Sequence, residues 1–379
     1  MATHAITVLS EDFPPNVGGV AQWARGVANG LHAAGNRVNV VCRHCGDYGA
    51  AGEHAYPVRY LKHDHWKKMR TWYWRSAFAE QLGRGDVPDV VIGSKWNTTR
   101  GVVKLARRRN IPLVTVVHGT DVTRPMPWLK RRWLKSTLAG SAKIVSVSRF
   151  TADWLVEHLG MPSASIAVVP NGVEPEAFAA CADFADLKAR LELGDEKIVL
   201  TLSRIIERKG HDMVIRALPA IRESVPGTRY LIAGPGHDDE IERLKTIARE
   251  HGVFDAVTFL GYVARDDLAR LYGLCDVYAM PSRFDTRTGD SEGFGITYLE
   301  ANACRKPVIG GRSGGVADAI VDGETGFLVD PHSPAEIAER ATAVLRDPAR
   351  AAAMGEVGYR RVVDEYNWRA ISQRILELL

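Results

Sequence analysis

Short apolar runs recur along the chain, and between most of them apolar residues fall three or four positions apart. Ala5 to Leu9 is the first run. After it Val20, Trp23, Val27 and Leu31 recur at helical spacing, and Gly35 closes that stretch. Arg37 to Cys42 alternates as a strand does, and Asp89 to Ile92, Leu113 to Val117, Lys143 to Val147 and Ile166 to Val169 are further strand candidates. Strand followed by helix, repeated, predicts a parallel, doubly wound sheet with helices on both faces.

Pro170-Asn171-Gly172-Val173 breaks this rhythm, and residues 174–196 read as a linker with a short helix. A second series starts at Lys197 to Leu202. It continues through Arg229 to Ile232, Val257 to Leu260, Val277 to Met280, Pro307 to Ile309 and Gly326 to Val329, and from Pro334 onward the pattern is helical. The expected fold class is therefore α/β, with two Rossmann-like doubly wound domains facing across a cleft. The boundaries are 1–172 and 173–365.

Composition changes this picture in one respect. A chain of 379 residues suits two domains, and five scattered cysteines argue for a reducing compartment rather than a disulfide framework. The net charge of +4, however, hides a split: residues 1–170 hold 23 Lys and Arg against 11 Asp and Glu, while the rest hold 26 against 34. The first domain is expected to face something anionic. The N-terminus lacks a basic leader and no apolar run approaches a membrane span, so neither a signal peptide nor a spanning helix is expected.

In open parallel sheets ligands sit beyond the C-terminal strand ends, so the loops there should carry the chemistry. The longest runs from Ser282 to Ala301. Its Glu292-Gly293-Phe294-Gly295 turn leads into a helix, with a second carboxylate at Glu300. Eight helical positions give about 12 Å of rise, so the two acids can reach different parts of one long ligand. Gly293 and Gly295 leave backbone N–H groups free to meet an anion. Arg204 and Lys209, after the first strand of the second series, can hold a diphosphate, Arg as a fork and Lys as a point charge. The plainer reading is a solvated basic loop, with Arg208 its solvated member. Gly18-Gly19 lets backbone approach a ligand at a helix start, or forms a simple turn. His118 ends a strand, where it can donate to a substrate hydroxyl or carbonyl with Asp121 orienting it, or serve only the fold.

Other chemistries find little support. Cys42-Arg43-His44-Cys45 is half a zinc site without its second half and reads as strand-end thiols; no other cluster suggests a metal. The Gly-x-Gly-x-x-Gly, Gly-x-Ser-x-Gly and phosphate-loop patterns are absent. Two stretches interleave Trp and Tyr with Lys and Arg, at 62–75 and 124–135. That mix suits an anionic bilayer surface. It equally suits solvated helices whose aromatics face the core. Nucleic acid is not expected, because no binding module accompanies the basic residues.

Together these residues resemble the retaining glycosyltransferases of family four, with the two-domain GT-B fold, over nearly the whole chain. The resemblance rests on Glu292-x7-Glu300 in company with Arg204/Lys209, Pro170-Asn171-Gly172-Val173, Gly18-Gly19 and His118. With Arg283 to Ser291 preceding the first Glu, it looks closest to the branch containing phosphatidylinositol-mannoside mannosyltransferases. The resemblance implies that Arg204 and Lys209 bind the donor diphosphate and Glu300 the ribose. It implies that Glu292 meets the donor sugar, that the amides of Gly293, Phe294 and Gly295 help with phosphate, and that Gly18 and Gly19 lie near phosphates or acceptor. His118 would sit by the donor sugar, and a final helix at about 366–379 would cross back onto the first domain. The implied reaction moves a hexose of mannose or glucose type from GDP-mannose or a UDP-sugar, with retention, to a lipid-linked or polysaccharide-precursor acceptor. No cofactor or metal is needed. The implied place is cytoplasmic, at the inner membrane face. One departure is Asp318, where the family usually shows Glu; it bears on the acceptor or helix-cap role of the 311–318 loop. A soluble acceptor, another GT-B activity such as a sugar-nucleotide epimerase or phosphorylase, and a non-catalytic nucleotide-sugar binder are the alternatives.

Overall fold

A computed structural model describes residues 3–16, 18–43, 54–61, 70–179 and 184–379. The chain divides into two compact units: Met1–Gly172 with Asn367–Leu379, and Val173–Tyr366.

The first unit is a seven-stranded parallel sheet. In chain order its strands are β1 (Ala5–Ser10), β2 (Arg37–Arg43), β3 (Val58–Leu61), β4 (Val90–Gly93), β5 (Leu113–Val117), β6 (Lys143–Ser146) and β7 (Ile166–Val168), and the spatial order is β3-β2-β1-β4-β5-β6-β7. The order reverses at β1 and β4, so the loops after those two strands flank the switch point where such sheets bind ligands. Helices α1 (Gly19–Ala33), α2 (Arg70–Gly83), α3 (Trp96–Arg108), α4 (Thr120–Thr123), α5 (Trp128–Ala139) and α6 (Arg149–Leu159) belong to this unit. The central strands β4 and β5 are apolar and buried throughout, as strands covered on both faces must be. The edge strand β3 is only half-buried along its length. Its Val-Arg-Tyr-Leu carries no clear period, and the sequence pattern did not predict it.

The second unit repeats the plan with six strands: β8 (Ile198–Leu202), β9 (Arg229–Ala233), β10 (Val257–Gly261), β11 (Val277–Met280), β12 (Val308–Gly311) and β13 (Gly326–Val329), in spatial order β10-β9-β8-β11-β12-β13. Two short helices, α7 (Glu176–Ala179) and α8 (Ala185–Arg190), precede it. Its further helices are α9 (His211–Ser224), α10 (Asp238–Glu250), α11 (Arg265–Leu274), α12 (Ile296–Ala303), α13 (Val316–Ala319), α14 (Pro334–Leu345) and α15 (Pro348–Glu365). One apolar core, from Val199 and Val214 through Tyr230 and Val277 to Ile337, joins the sheet to its helices.

The last helix, α16 (Trp368–Leu376), lies in the first unit and packs on α1. Gly26 and Gly30 make the close approach possible. A Cβ on Gly26 would lie 2.1 Å from the Trp368 ring, and one on Gly30 would lie 2.2 Å from the Ser372 hydroxyl. Ser372 donates to the Val27 carbonyl at 3.2 Å.

Candidate active site

In the second unit the strand-end loops converge on Glu292. The loop after β8 tightens into a 3-10 turn, Glu207–Lys209, and Gly210 follows at φ 80 with the Pro281 carbonyl where a side chain would begin. This geometry turns Arg208 and Lys209 inward. Lys209 Nζ donates to Glu292 Oε2 at 2.6 Å, and Arg208 Nη1 donates to the same oxygen at 3.1 Å. Arg204 is the solvated member of the loop instead. This corrects the expectation for Arg208: it is buried and paired with the acid. Charge alone could not separate three cations within six residues; the 3-10 turn does.

Glu292 lies ahead of helix α12, not within it. The loop after β12 fixes its backbone: Gly315 N–H donates to the Glu292 carbonyl at 2.8 Å. Gly314, at φ 59, packs against that carbonyl where a Cβ would come within 2.6 Å. Burial alone would raise the Glu292 carboxyl, but Lys209 and Arg208 outweigh it and hold its pKa at about 2. An acid so firmly ionised is unsuited to donating a proton near neutrality. Burial pushes the Lys209 ammonium below its ordinary range, with Glu292 opposing.

Helix α12 begins bare. Gly295 at φ 95 precedes it, no side chain caps it, and a Cβ there would strike the Tyr298 ring at 2.4 Å. No side chain takes the N–H groups of its first turn, of which that of Tyr298 turns back to the Gly295 carbonyl at 3.1 Å. The Phe294 side chain is core, buried and stacked on Tyr366 at 6.0 Å, so only its backbone can serve a ligand. Glu300, in the helix, is buried and accepts a hydrogen bond from the Tyr272 hydroxyl at 2.7 Å.

The stretch between Arg283 and Ser291 is compact. Arg283 grips both carboxylate oxygens of Asp212, at 3.0 and 3.1 Å, and its N–H donates to the Arg208 carbonyl at 2.8 Å. Asp285 accepts from the Thr288 hydroxyl at 2.6 Å and closes a turn with Asp290. No pattern of residues signalled that Arg283 ties this stretch to the basic loop.

In the first unit, His118 follows β5 and its Nε2 lies 2.8 Å from the Ser94 carbonyl. A carbonyl only accepts, so Nε2 carries the proton and Nδ1 is the acceptor. Asp121 does not orient this ring: its Oδ1 accepts from the His118 backbone N–H at 2.8 Å. The expected donor is therefore an acceptor. Burial, assisted by the charge of Lys95, lowers the imidazole pKa to about 3. Burial pushes the Asp121 carboxyl up to about 6, and its Oδ2 is buried without a partner. Lys95, in the loop after β4, donates to Asp12 at 2.6 Å; sequence reading passed over it although it follows a strand end. Gly18, at φ 146, precedes α1 with open space around it, and Gly19 begins that helix. A ring held neutral gives a direct check. The His118 imidazole resonances should not titrate between pH 8 and 5 by NMR, whereas a midpoint near 6.5 would remove this assignment.

Residues 183–361 match the family model for glycosyl transferases group 1, and residues 17–177 match that for glycosyltransferase family 4. The chain is 39% identical over 277 residues to a GDP-mannose-dependent α-(1-6)-phosphatidylinositol monomannoside mannosyltransferase of Mycolicibacterium smegmatis, covering 73% of this chain and 72% of that one. This protein is a family 4 glycosyltransferase. The glycosyltransferase also aligns along its whole length, at 28% identity and over 98% of the relative, with a GDP-mannose-dependent monoacylated α-(1-6)-phosphatidylinositol monomannoside mannosyltransferase of Corynebacterium glutamicum. Its GT-B fold is shared with HepE of Anabaena (TM-score 0.81, 20% identity, 99% of each chain). It is shared too with sucrose-phosphate synthase of Thermosynechococcus elongatus (TM-score 0.80, 24% identity, 98% of this chain and 97% of that one).

His44, Cys45 and positions 62–69 lie outside the described residues. Of the basic–aromatic stretches, Trp74 is core, but Trp72, Trp128, Leu129 and Trp133 are exposed. The Asp318 carbonyl accepts from Arg361 and Tyr366, so its backbone anchors α15 to α13. Among the described residues, no helix is long and apolar enough to cross a membrane.

Proposed function

We propose that this glycosyltransferase moves a hexose of mannose or glucose type, with retention of configuration, from a nucleoside diphosphate sugar to the hydroxyl of a lipid-linked acceptor. The observation that carries the donor half is the Glu292 carboxylate held on Lys209 and Arg208 ahead of the bare N-terminus of α12. Arg204 and Lys209, with the helix amides, suit a leaving diphosphate. Their electrostatic stabilisation supplies what a metal ion supplies elsewhere. Glu300 takes the ribose, Glu292 a sugar hydroxyl, and His118 Nδ1 accepts from a substrate hydroxyl. The mannosyltransferase relatives support GDP-mannose as the first donor to try.

The lipid-linked acceptor is favoured by one face of the first unit. Helix α5 exposes Trp128, Leu129 and Trp133 beside exposed Lys130, Arg131, Arg132 and Lys135. Arg100 of α3 stacks on Trp133, 3.6 Å from the ring centroid, which places more positive charge at the same rim. Aromatic rings at headgroup depth with cations beside them suit an anionic bilayer.

The test incubates the full chain with GDP-mannose or UDP-glucose, anionic vesicles and a phosphatidylinositol mannoside. The α-linked product should form at the same rate in EDTA, with its anomer read by NMR. A β-linked product overturns retention, and loss of activity in EDTA overturns metal independence. Epimerised donor without acceptor would favour the rival activity. Trp128→Ser with Trp133→Ser should cut co-sedimentation with the vesicles about tenfold at low salt; unchanged sedimentation removes the membrane face.

A further inference from the structure

Glu292 has two cationic partners and spends one oxygen on both. Arg208 Nη1 and Lys209 Nζ donate to Oε2, and Oε1 takes neither. We infer that Arg208 is a positioning residue that keeps the Glu292 carboxylate aimed at the donor sugar while Lys209 turns to the diphosphate. This rests on the donor-site reading proposed above.

The two cations differ in what they can do. Lysine is a point charge on a flexible four-carbon stem, whereas the guanidinium is a rigid plane. A diphosphate carries more charge than a carboxylate and draws Lys209 toward itself. Arg208 is held from several sides. The Arg283 N–H donates to its carbonyl, and the Arg283 side chain is itself fixed on Asp212. Gly210, two residues on, lies against the Pro281 carbonyl with no room for a side chain. Arg208 Nε is buried with no partner, a cost that a merely solvated arginine would not bear. When Lys209 turns away, Arg208 is what stops the buried Glu292 carboxylate from being left unpaired.

The prediction concerns coupling between two side chains rather than loss of one. With GDP-mannose and UDP-glucose as donor probes, Arg208→Met should lower kcat/KM about 10- to 100-fold. The Kd for GDP or UDP, which lack the sugar, should move by no more than about threefold. Arg208→Lys should recover part of the loss. In a Glu292→Gln background, Arg208→Met should cost no more than about a further twofold, because the group it positions has gone. Losses that multiply in the double variant overturn the inference. So does a nucleotide Kd that weakens as much as transfer, which would make Arg208 a phosphate ligand. Arg208→Lys runs the same cycle should Arg208→Met fail to fold. A wild type that is inactive with both donors overturns the donor-site reading and this inference with it, whereas an active wild type with multiplicative losses overturns the role of Arg208 alone.

Discussion

Lys209→Ala should lower kcat/KM about 10³-fold while leaving the protein folded. The expected loss is large because Lys209 does two things. On the proposed donor-site reading its ammonium is the inward point charge for the diphosphate, which must gain negative charge as the sugar–phosphate bond breaks, and removing one such group typically costs about 10²- to 10³-fold. It also supplies the shorter of the two contacts to Glu292, 2.6 Å against 3.1 Å for Arg208. On that reading, taking it away weakens phosphate binding and leaves Glu292 on Arg208 alone from the start. Stability should suffer less, because Arg208 still pairs the buried carboxylate and no charge is stranded. The measurement is steady-state transfer with GDP-mannose or UDP-glucose, alongside calorimetric binding of GDP or UDP. A variant keeping more than a tenth of wild-type kcat/KM would remove Lys209 from the centre of the site. Arg204→Ala should cost less, since that side chain is solvent-exposed and its charge acts through water.

The contrast between these two cations marks the limit of what the chain discloses in one dimension. Parallel strands buried on both faces are near-continuous apolar runs, so Leu113 to Val117, Val277 to Met280 and Gly326 to Val329 were readable to the residue. The strand Val58–Leu61 was not, because, unlike the buried edge strand Gly326–Val329, it is only half-buried along its length and lacks the burial that writes the pattern. Loops at strand ends were placed by topology, and the glycines of Glu292-Gly293-Phe294-Gly295 were read as a bare helix start, which no side chain caps. Which cation turns inward was invisible. Arg204, Arg208 and Lys209 share one charge and one loop, and only a three-residue turn closed by Gly210 decides that Arg208 goes in and Arg204 out. The tautomer of His118 was hidden for a similar reason. It depends on the Ser94 carbonyl, which belongs to a different strand end.

Arg283→Met should destabilise the protein by about 3–5 kcal/mol, more than any exposed charge in the same loop. Arg283 holds both oxygens of Asp212, with both side chains nearly fully buried. Pairs of this kind are poor evidence of net stability when the intact pair is compared with hydrocarbon. Removing one partner, however, leaves a buried charge alone, and that is what costs about 3–5 kcal/mol. The penalty therefore largely disappears if both partners go: Arg283→Met with Asp212→Leu should recover most of the loss. The exposed ion pair of Arg287 with Asp285, at 3.7 Å, makes the control, and Arg287→Met should change stability by less than about 1 kcal/mol. Urea unfolding followed by near-ultraviolet circular dichroism reads all three variants. Equal midpoints for Arg283→Met and Arg287→Met would show that the Arg283 clamp carries nothing. Activity should track stability only in part. Because the Arg283 N–H to the Arg208 carbonyl is a backbone contact, both variants retain it, and the double variant, with no unpaired Asp212 charge, should keep more transferase activity than Arg283→Met alone. The clamp would then prove to act by neutralising Asp212, and the backbone bond by placing the turn that carries Arg208 and Lys209.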